Sequence, residues 1–188
     1  MPSIHGTQTE KNLLAAFAGE SQARNRYTLF AAKARTDGYE LVAQIFEETA
    51  RNELAHAKRF FSFLEGYPVQ ITATYPAGKV GTTLQNLDAA QNGEHEEGTV
   101  LYPEFATVAN NEGFTSVAAV FNMIASIEKA HRDRYKKYLE LVESSWVFSG
   151  TTAATLWICT NCGYITAALQ PPAVCPVCLE DKTYFTQL

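Results

Sequence analysis

The chain has 188 residues, 46% of them hydrophobic, with four cysteines and a formal net charge of −5. That apolar content supports a real core, and the acidic balance excludes the basic footprint of a nucleic-acid binder. The longest nearly apolar stretch, residues 116–127, contains Asn122 and is too short to span a bilayer, and residues 1–15 lack the basic start and apolar run of a secretory signal, so a cytoplasmic protein with no membrane partner is expected.

In chain order, a first helix is expected from about Thr9 to Asp37 and a second from about Tyr39 to Glu65. Gly38 between them is the residue type that ends a helix in the left-handed conformation. Residues 66–81, rich in Pro, Gly, Thr and Tyr, are too long for a tight turn and suit a crossover along a bundle, as in ferritin-like folds. A third helix is expected from about Thr82 to Glu112 and a fourth from Phe114 to Glu143, with Gly113 as the break. Apolar spacing supports helix at Leu41, Ile45, Ala50 and Leu54, and at Val117, Val120, Phe121 and Ile124. The expected organisation is a mainly α chain, with a four-helix bundle over 1–146, a linker over 147–154 and a small metal-knuckle domain over 155–188.

The first part is an internal repeat. A shift of 75 residues places Tyr27 on Tyr102, Gly38 on Gly113, Phe46 on Phe121, Glu53 on Glu128, His56 on His131 and Arg59 on Arg134. Between positions 27 and 66 roughly fifteen of forty pairs are identical, the mark of a duplicated helical hairpin. Glu20 instead meets Glu94, at a shift of 74. One extra residue therefore lies between Glu94 and Tyr102, and a π-bulge near Glu97 is the expected way for a continuing helix to absorb it.

Residues three apart share a helix face, so Glu53 and His56 can reach one metal ion together, as can Glu128 and His131. Glu20 and Glu94 add one carboxylate from each remaining helix, which completes the di-iron carboxylate pattern. Oxygen-rich ligation with one imidazole per ion suits iron or manganese. A single Glu-x-x-His is commonly a solvated pair, but two at equivalent places in a repeat are hard to obtain by chance, and charges set among core aromatics need metal or a partner. Glu97 is a fifth carboxylate, expected to bind one metal mainly in the oxidised state. Its neighbours His95 and Glu96 are expected to face solvent. Tyr27 and Tyr102, symmetric in the repeat, are expected to point their phenols at the site as hydrogen-bond or proton donors.

The cysteines form two knuckles, Cys159-x-x-Cys162 and Cys175-x-x-Cys178. In a reducing compartment such a set reads as a metal site. The spacing leaves zinc and iron open. Gly163 followed by an aromatic, and Pro176 inside the second pair, favour a rubredoxin-type single iron.

These motifs, with Gly-Glu-Ser-Gln-Ala-Arg-Asn-Arg-Tyr at 19–27 and Gly93-Glu94-x-x-Glu97, resemble the rubrerythrin family across essentially the whole chain. The resemblance implies a ferritin-like di-iron domain followed by a rubredoxin-like one-iron domain. It also implies reduction of hydrogen peroxide to water in oxidative-stress defence, with electrons from NAD(P)H through a reductase or a rubredoxin. Carried over, Glu20, Glu53, Glu94, Glu97, Glu128 and His131 would hold two irons, His56 would replace Glu97 on reduction, and Cys159, Cys162, Cys175 and Cys178 would hold the third. Head-to-tail homodimers are implied as well. The alternative is a ferritin-like ferroxidase or iron-handling protein, against which the cysteine domain argues. The sequence departs from the family at His95-Glu96, and at Leu179, where rubredoxins have Gly. That leucine is expected to weaken a backbone hydrogen bond to sulfur without altering ligation.

Overall fold

The computed structural model describes residues 3–145 and 147–188. Trp146, at which the bundle was expected to end and the linker to begin, lies outside the described residues, as do Met1 and Pro2.

Helix α1 spans Gln8–Thr36 and α2 spans Glu40–Phe61. Thr7 caps α1 by accepting the Glu10 N–H, which satisfies one of the donors that a helix start leaves open. Gly38, at φ +83°, makes the turn between the helices, a conformation that costs a residue with a Cβ about 1–2 kcal/mol. Helix α2 stops four residues short of the expected Glu65. Ser62 takes the cap position, its hydroxyl bonded back to the Arg59 carbonyl at 2.7 Å, and Phe63 and Leu64 close tight turns onto Phe60 and Phe61. Glu65 instead accepts from the Ser3 hydroxyl and the Ile4 N–H, tying down the N-terminal segment.

The crossover then runs without regular structure to Thr82, which opens α3 (Thr83–Glu96) with a capping box made with Gln85. The rod continues as a π-helical turn over Glu97–Leu101 and as α4 over Tyr102–Asn111. The extra residue inferred from the repeat thus resides where expected. The π turn lies close against the last long helix, α5 (Thr115–Glu143). A Cβ at Gly98 would stand 3.0 Å from the Ala125 carbonyl oxygen, so only glycine permits that approach without movement.

Two apolar clusters fill the bundle. One is built around Tyr27, Phe30, Phe46 and Tyr135, the other around Phe60, Tyr102, Phe114 and Phe121. Several repeated pairs are buried: Ala31 and Ala106, Ala34 and Ala109, Phe46 and Phe121 are all excluded from solvent. No helix is long and apolar enough to cross a membrane among the described residues.

The C-terminal unit is a three-stranded antiparallel sheet in the order β2-β1-β3, from β1 (Leu156–Cys159), β2 (Ile165–Ala167) and β3 (Phe185–Gln187). Trp157 and Phe185 form its core beside Cys159 and Cys175. It leans on the α1–α2 end of the bundle, where Gln44 Nε2 reaches Thr160 Oγ1 at 3.2 Å.

Candidate metal centres

The two apolar clusters leave between them a polar layer at mid-bundle. Four carboxylates and two imidazoles from α1, α2, α3 and α5 are buried there: Glu20, Glu53, His56, Glu94, Glu128 and His131. They divide into two groups, Glu20, Glu53, His56 and Glu128, and Glu53, Glu94, Glu128 and His131, each with one ligand atom per residue and all of those atoms within 4.8 Å of one another.

Glu53 and Glu128 belong to both groups, and their two oxygens divide between them. His56 Nδ1 lies 2.9 Å from Glu53 Oε2 and 3.0 Å from Glu128 Oε1. His131 Nδ1 lies 3.4 Å from Glu53 Oε1 and 2.8 Å from Glu128 Oε2. Glu20 stands only with His56, at 3.8 Å, and Glu94 only with His131, at 3.4 Å. The rings are 6.0 Å apart and close to parallel. Two carboxylates shared by both groups, two that each stand with one imidazole, and the two imidazoles themselves make a donor set that would suit two adjacent ions.

The buried atoms themselves ask for cations. Among the described residues, Glu20 Oε2, Glu53 Oε1, Glu94 Oε2, both oxygens of Glu128 and His131 Nδ1 make no well-directed hydrogen bond and have chiefly one another as close polar neighbours, and buried polar atoms left so are rare. Without ions, the protons must rearrange. Burial opposes charge on His131, but Glu128, Glu53 and Glu94 outweigh it and push the ring up to about 12. His56 is raised in the same way by Glu128, Glu20 and Glu53. Burial also works against Glu53, yet the two imidazoles hold it down to about 2. Glu94 goes the other way, to about 8, through burial and the charge on Glu53. Four carboxylates against two divalent ions would remove this conflict with no net charge left over.

Tyr27 and Tyr102 do face the centre, each across to the other half of the repeat. Tyr27 Oη donates to Glu94 at 2.5 Å, and Tyr102 Oη donates to Glu20 at 2.6 Å. Burial first, and then those carboxylates, raise both phenols well above the ordinary tyrosine range, so both keep their protons. Glu97 is the predicted residue that the structure keeps apart. It starts the π turn and stands in neither ligand group. Burial, then the neighbouring Glu20, push its carboxyl well above the usual range. His56, not Glu97, completes the first group. His95 and Glu96 are exposed, as expected.

Sequence reasoning missed three residues. Asn52 Nδ2 stands 3.2 Å from His131 Nε2. The buried hydroxyl of Tyr135 lies near Thr49 and close enough to Glu94 and Glu53 to feel their charge. Tyr75, from the crossover, lays its ring over Gly19, where an added Cβ would meet Cε1 at 3.4 Å. Asn52 and Tyr135 break the repeat, facing Ile127 and Phe60 at a shift of 75. That asymmetry was the available signal.

In the C-terminal unit all four sulfurs lie within 4.8 Å of one another. Cys159–Cys178 and Cys162–Cys175 are each 3.6 Å apart. A tetrahedron with metal–sulfur bonds of about 2.3 Å has edges near 3.8 Å, so the cage already has the size of a single ion. The side chain of Asn161 and the Glu180 N–H, both aimed at sulfur, bring the Cys178 thiol down to about 6. Leu179 itself adopts the left-handed conformation, φ +65°, matching Gly163 at +78° in the first knuckle, so the chain makes the same turn there without glycine.

Comparison with known proteins agrees with this arrangement. The family model described as rubrerythrin matches residues 11–139, and that described as the rubredoxin-like domain of rubrerythrin matches residues 157–186. Rubrerythrin of Porphyromonas gingivalis is 53% identical, over 97% of this chain and 91% of its own. Rubrerythrin of Nitratidesulfovibrio vulgaris is 45% identical, over 100% and 98%. Among solved structures, nigerythrin in its fully reduced, all-ferrous state superposes with a TM-score of 0.65 at 30% identity, over 98% of this chain and 91% of its own. With a bundle that has the donor set for a pair of irons and a cysteine cage that fits a third, the chain belongs to the rubrerythrin family.

Proposed function

We propose that the protein is a non-haem di-iron peroxidase that reduces hydrogen peroxide to water in oxidative-stress defence, re-reduced through its own cysteine-bound iron. The observation that carries this reading is the presence in one chain of two ligand groups sharing Glu53 and Glu128, and of a four-sulfur cage. Glu20, Glu53, His56 and Glu128 would hold one iron, and Glu53, Glu94, Glu128 and His131 the other. Glu97 would take the place of His56 in the oxidised state, and Cys159, Cys162, Cys175 and Cys178 would hold the third iron. When bound, the pair supplies two electrons together and Lewis acidity toward the peroxide oxygens.

The residues around the pair hold the protons. Reduction of one peroxide to two waters consumes two protons. Tyr27 and Tyr102 keep theirs and are hydrogen-bonded to Glu94 and Glu20, so a phenol stands at either end of the centre. The apolar clusters on both sides keep bulk water from the buried carboxylates.

The cysteine cage receives single electrons from a partner, a rubredoxin or an NAD(P)H-dependent reductase. Its domain is tied to α2 at Gln44, nine residues and so about 13 Å of helix rise before Glu53. A head-to-tail homodimer would offer a second route, from one subunit's cage to the other's iron pair.

The test is anaerobic reduction followed by one equivalent of hydrogen peroxide, or of oxygen, with the visible spectrum followed in time. Colour should bleach on reduction and return faster with peroxide. Faster return with oxygen would overturn the reading. Iron storage is separated by size, since a storage protein assembles into a large cage and the peroxidase into a small oligomer.

A further inference from the structure

A cavity of about 160 Å³ adjoins the metal layer on the side covered by the crossover. Its walls are mostly apolar, at Ala16, Gly19, Ala23, Tyr75, Pro76 and Leu101, with Gln22 and Arg26 as polar members. Its inner end is closed by Tyr27, Tyr102 and Glu97, and the two phenols are those bonded to Glu94 and Glu20. Its mouth is polar, at Thr74 and Glu96, both exposed. Tyr75 is fixed as a strap across it, with Oη donating to the Ala15 carbonyl at 2.5 Å and its ring against Gly19.

Two glycines keep this space open. Gly19 and Gly93 each directly precede a metal-layer carboxylate, Glu20 and Glu94, and both line the cavity. Each sits inside a helix, where glycine costs about 1 kcal/mol relative to alanine. Neither has a positive φ, so backbone geometry does not demand them. A Cβ at Gly93 would meet nothing within 4 Å, so packing does not demand glycine there either. Gly19 preserves the seat of the Tyr75 ring, while what Gly93 preserves is empty, largely apolar volume beside the metal layer. Hydrogen peroxide, hardly larger than water and wholly polar, needs none of it. A dry apolar cavity of about 150 Å³ is enough to take up benzene or xenon.

We propose that this chamber is an alkyl-binding subsite, and that the protein also reduces small organic hydroperoxides whose hydrocarbon group lodges among Ala16, Gly19, Ala23 and Tyr75. For tert-butyl hydroperoxide the O–O bond is cleaved and two electrons, one from each of two ferrous ions, are taken up with two protons. The products are tert-butanol and water. The inference rests on the peroxidase reading for its chemistry, but the chamber is tested without it.

Two measurements on the full-length protein decide the matter. In crystals pressurised with xenon, the gas should occupy the chamber in the wild type and be lost from it in Gly93→Leu, whose side chain projects into the space. In steady-state assays with an artificial reductant, the ratio of kcat/KM for tert-butyl hydroperoxide to that for hydrogen peroxide should fall in Gly93→Leu by about tenfold or more, the range that hydrocarbon contacts provide in an apolar pocket. Gly93→Ala, which leaves most of the volume open, should change the ratio by less than about threefold on the same scale. Xenon absent from the wild-type chamber, or a ratio unmoved by Gly93→Leu, would overturn the subsite. Xenon present with neither peroxide reduced would sink the peroxidase reading, and with it the proposed organic activity.

Discussion

Asn52 stands with its amide 3.2 Å from Nε2 of His131, one helix apart. His131 turns Nδ1 toward the carboxylates, so with a metal on Nδ1 the proton resides on Nε2. A half-turn of the amide, which exchanges its oxygen and nitrogen in place, gives that proton an acceptor and fixes the ring. His56 lacks this support, because the repeat partner of Asn52 is Ile127, which has no polar atom in its side chain. One imidazole is therefore anchored where its twin is not. Asn52→Ala should lower iron affinity at the His131 end by about 10- to 100-fold, the usual effect of removing such a support. Competition of ferrous iron against a chelator would measure it, and equal affinity in variant and wild type would rule out the anchoring role.

Glu97 stands outside both ligand groups, and burial and the charge on Glu20 disfavour ionisation of its carboxyl. Only added positive charge makes it favourable for that group to ionise and move inward, and oxidised iron supplies such charge. Glu97→Ala should therefore raise the reduction potential of the pair. A one-electron couple moves by about 59 mV for each tenfold loss of preference for the oxidised form. A dye-mediated redox titration measures the shift, and an unchanged potential would show that Glu97 stays apart in both states.

Leu179 holds φ +65° and is 77% exposed. A left-handed leucine costs about 1–2 kcal/mol, and the exposed side chain contributes little packing in return. Leu179→Gly removes the strain while making the unfolded chain more flexible, so a net gain of about 0.5–1 kcal/mol is expected. The thermal loss of visible absorption from the iron-loaded cysteine cage should move to higher temperature. A shift to lower temperature would mean that the leucine side chain stabilises the knuckle.

Asp37 joins the end of α1 to the start of α3. It pairs with Lys33 at 2.5 Å and accepts from the N–H and hydroxyl of Thr83 at 3.1 and 2.8 Å. Burial works against its ionisation, but the Lys33 and Thr83 bonds outweigh that and hold the carboxyl below the usual range. A depressed folded-state value means that the stabilisation is full above the unfolded-state pKa of about 3.9 and is lost as pH falls from there through the folded-state value. Asp37→Ala should cost about 1–2 kcal/mol at neutral pH. The gap between variant and wild type in urea unfolding should close below about pH 3.9 as the wild-type carboxylate is protonated. A gap independent of pH would assign the loss to packing.

The metal layer was legible in the sequence because its rule is local. A spacing of three on a helix puts glutamate and histidine on one face, and duplication confirmed the choice of Glu53, His56, Glu128 and His131. The π turn was legible too, since a shift of 74 at Glu94 and of 75 at Tyr102 leaves one residue to absorb. The end of α2 was misjudged because Phe63 and Leu64 continue the apolar pattern, while the stop depends on a side-chain bond from Ser62. The place of Tyr75 could not be read at all. The crossover has no periodicity, and its position over Gly19 depends on one long-range bond to the Ala15 carbonyl. The conformation of Leu179 was hidden for a related reason, since the hydrogen-bonded shape of the knuckle overrides the residue's own preference.

The shared bridges, Glu53 from the first hairpin and Glu128 from the second, mean that neither hairpin could hold even a single ion in its full coordination. A solitary hairpin would have to find a copy of itself before it had any chemistry to offer. In the present chain that encounter is permanent, because the stretch between Phe61 and Thr82 ties the two hairpins together. Once joined, the halves need not be alike, and asparagine in one stands where the other has isoleucine.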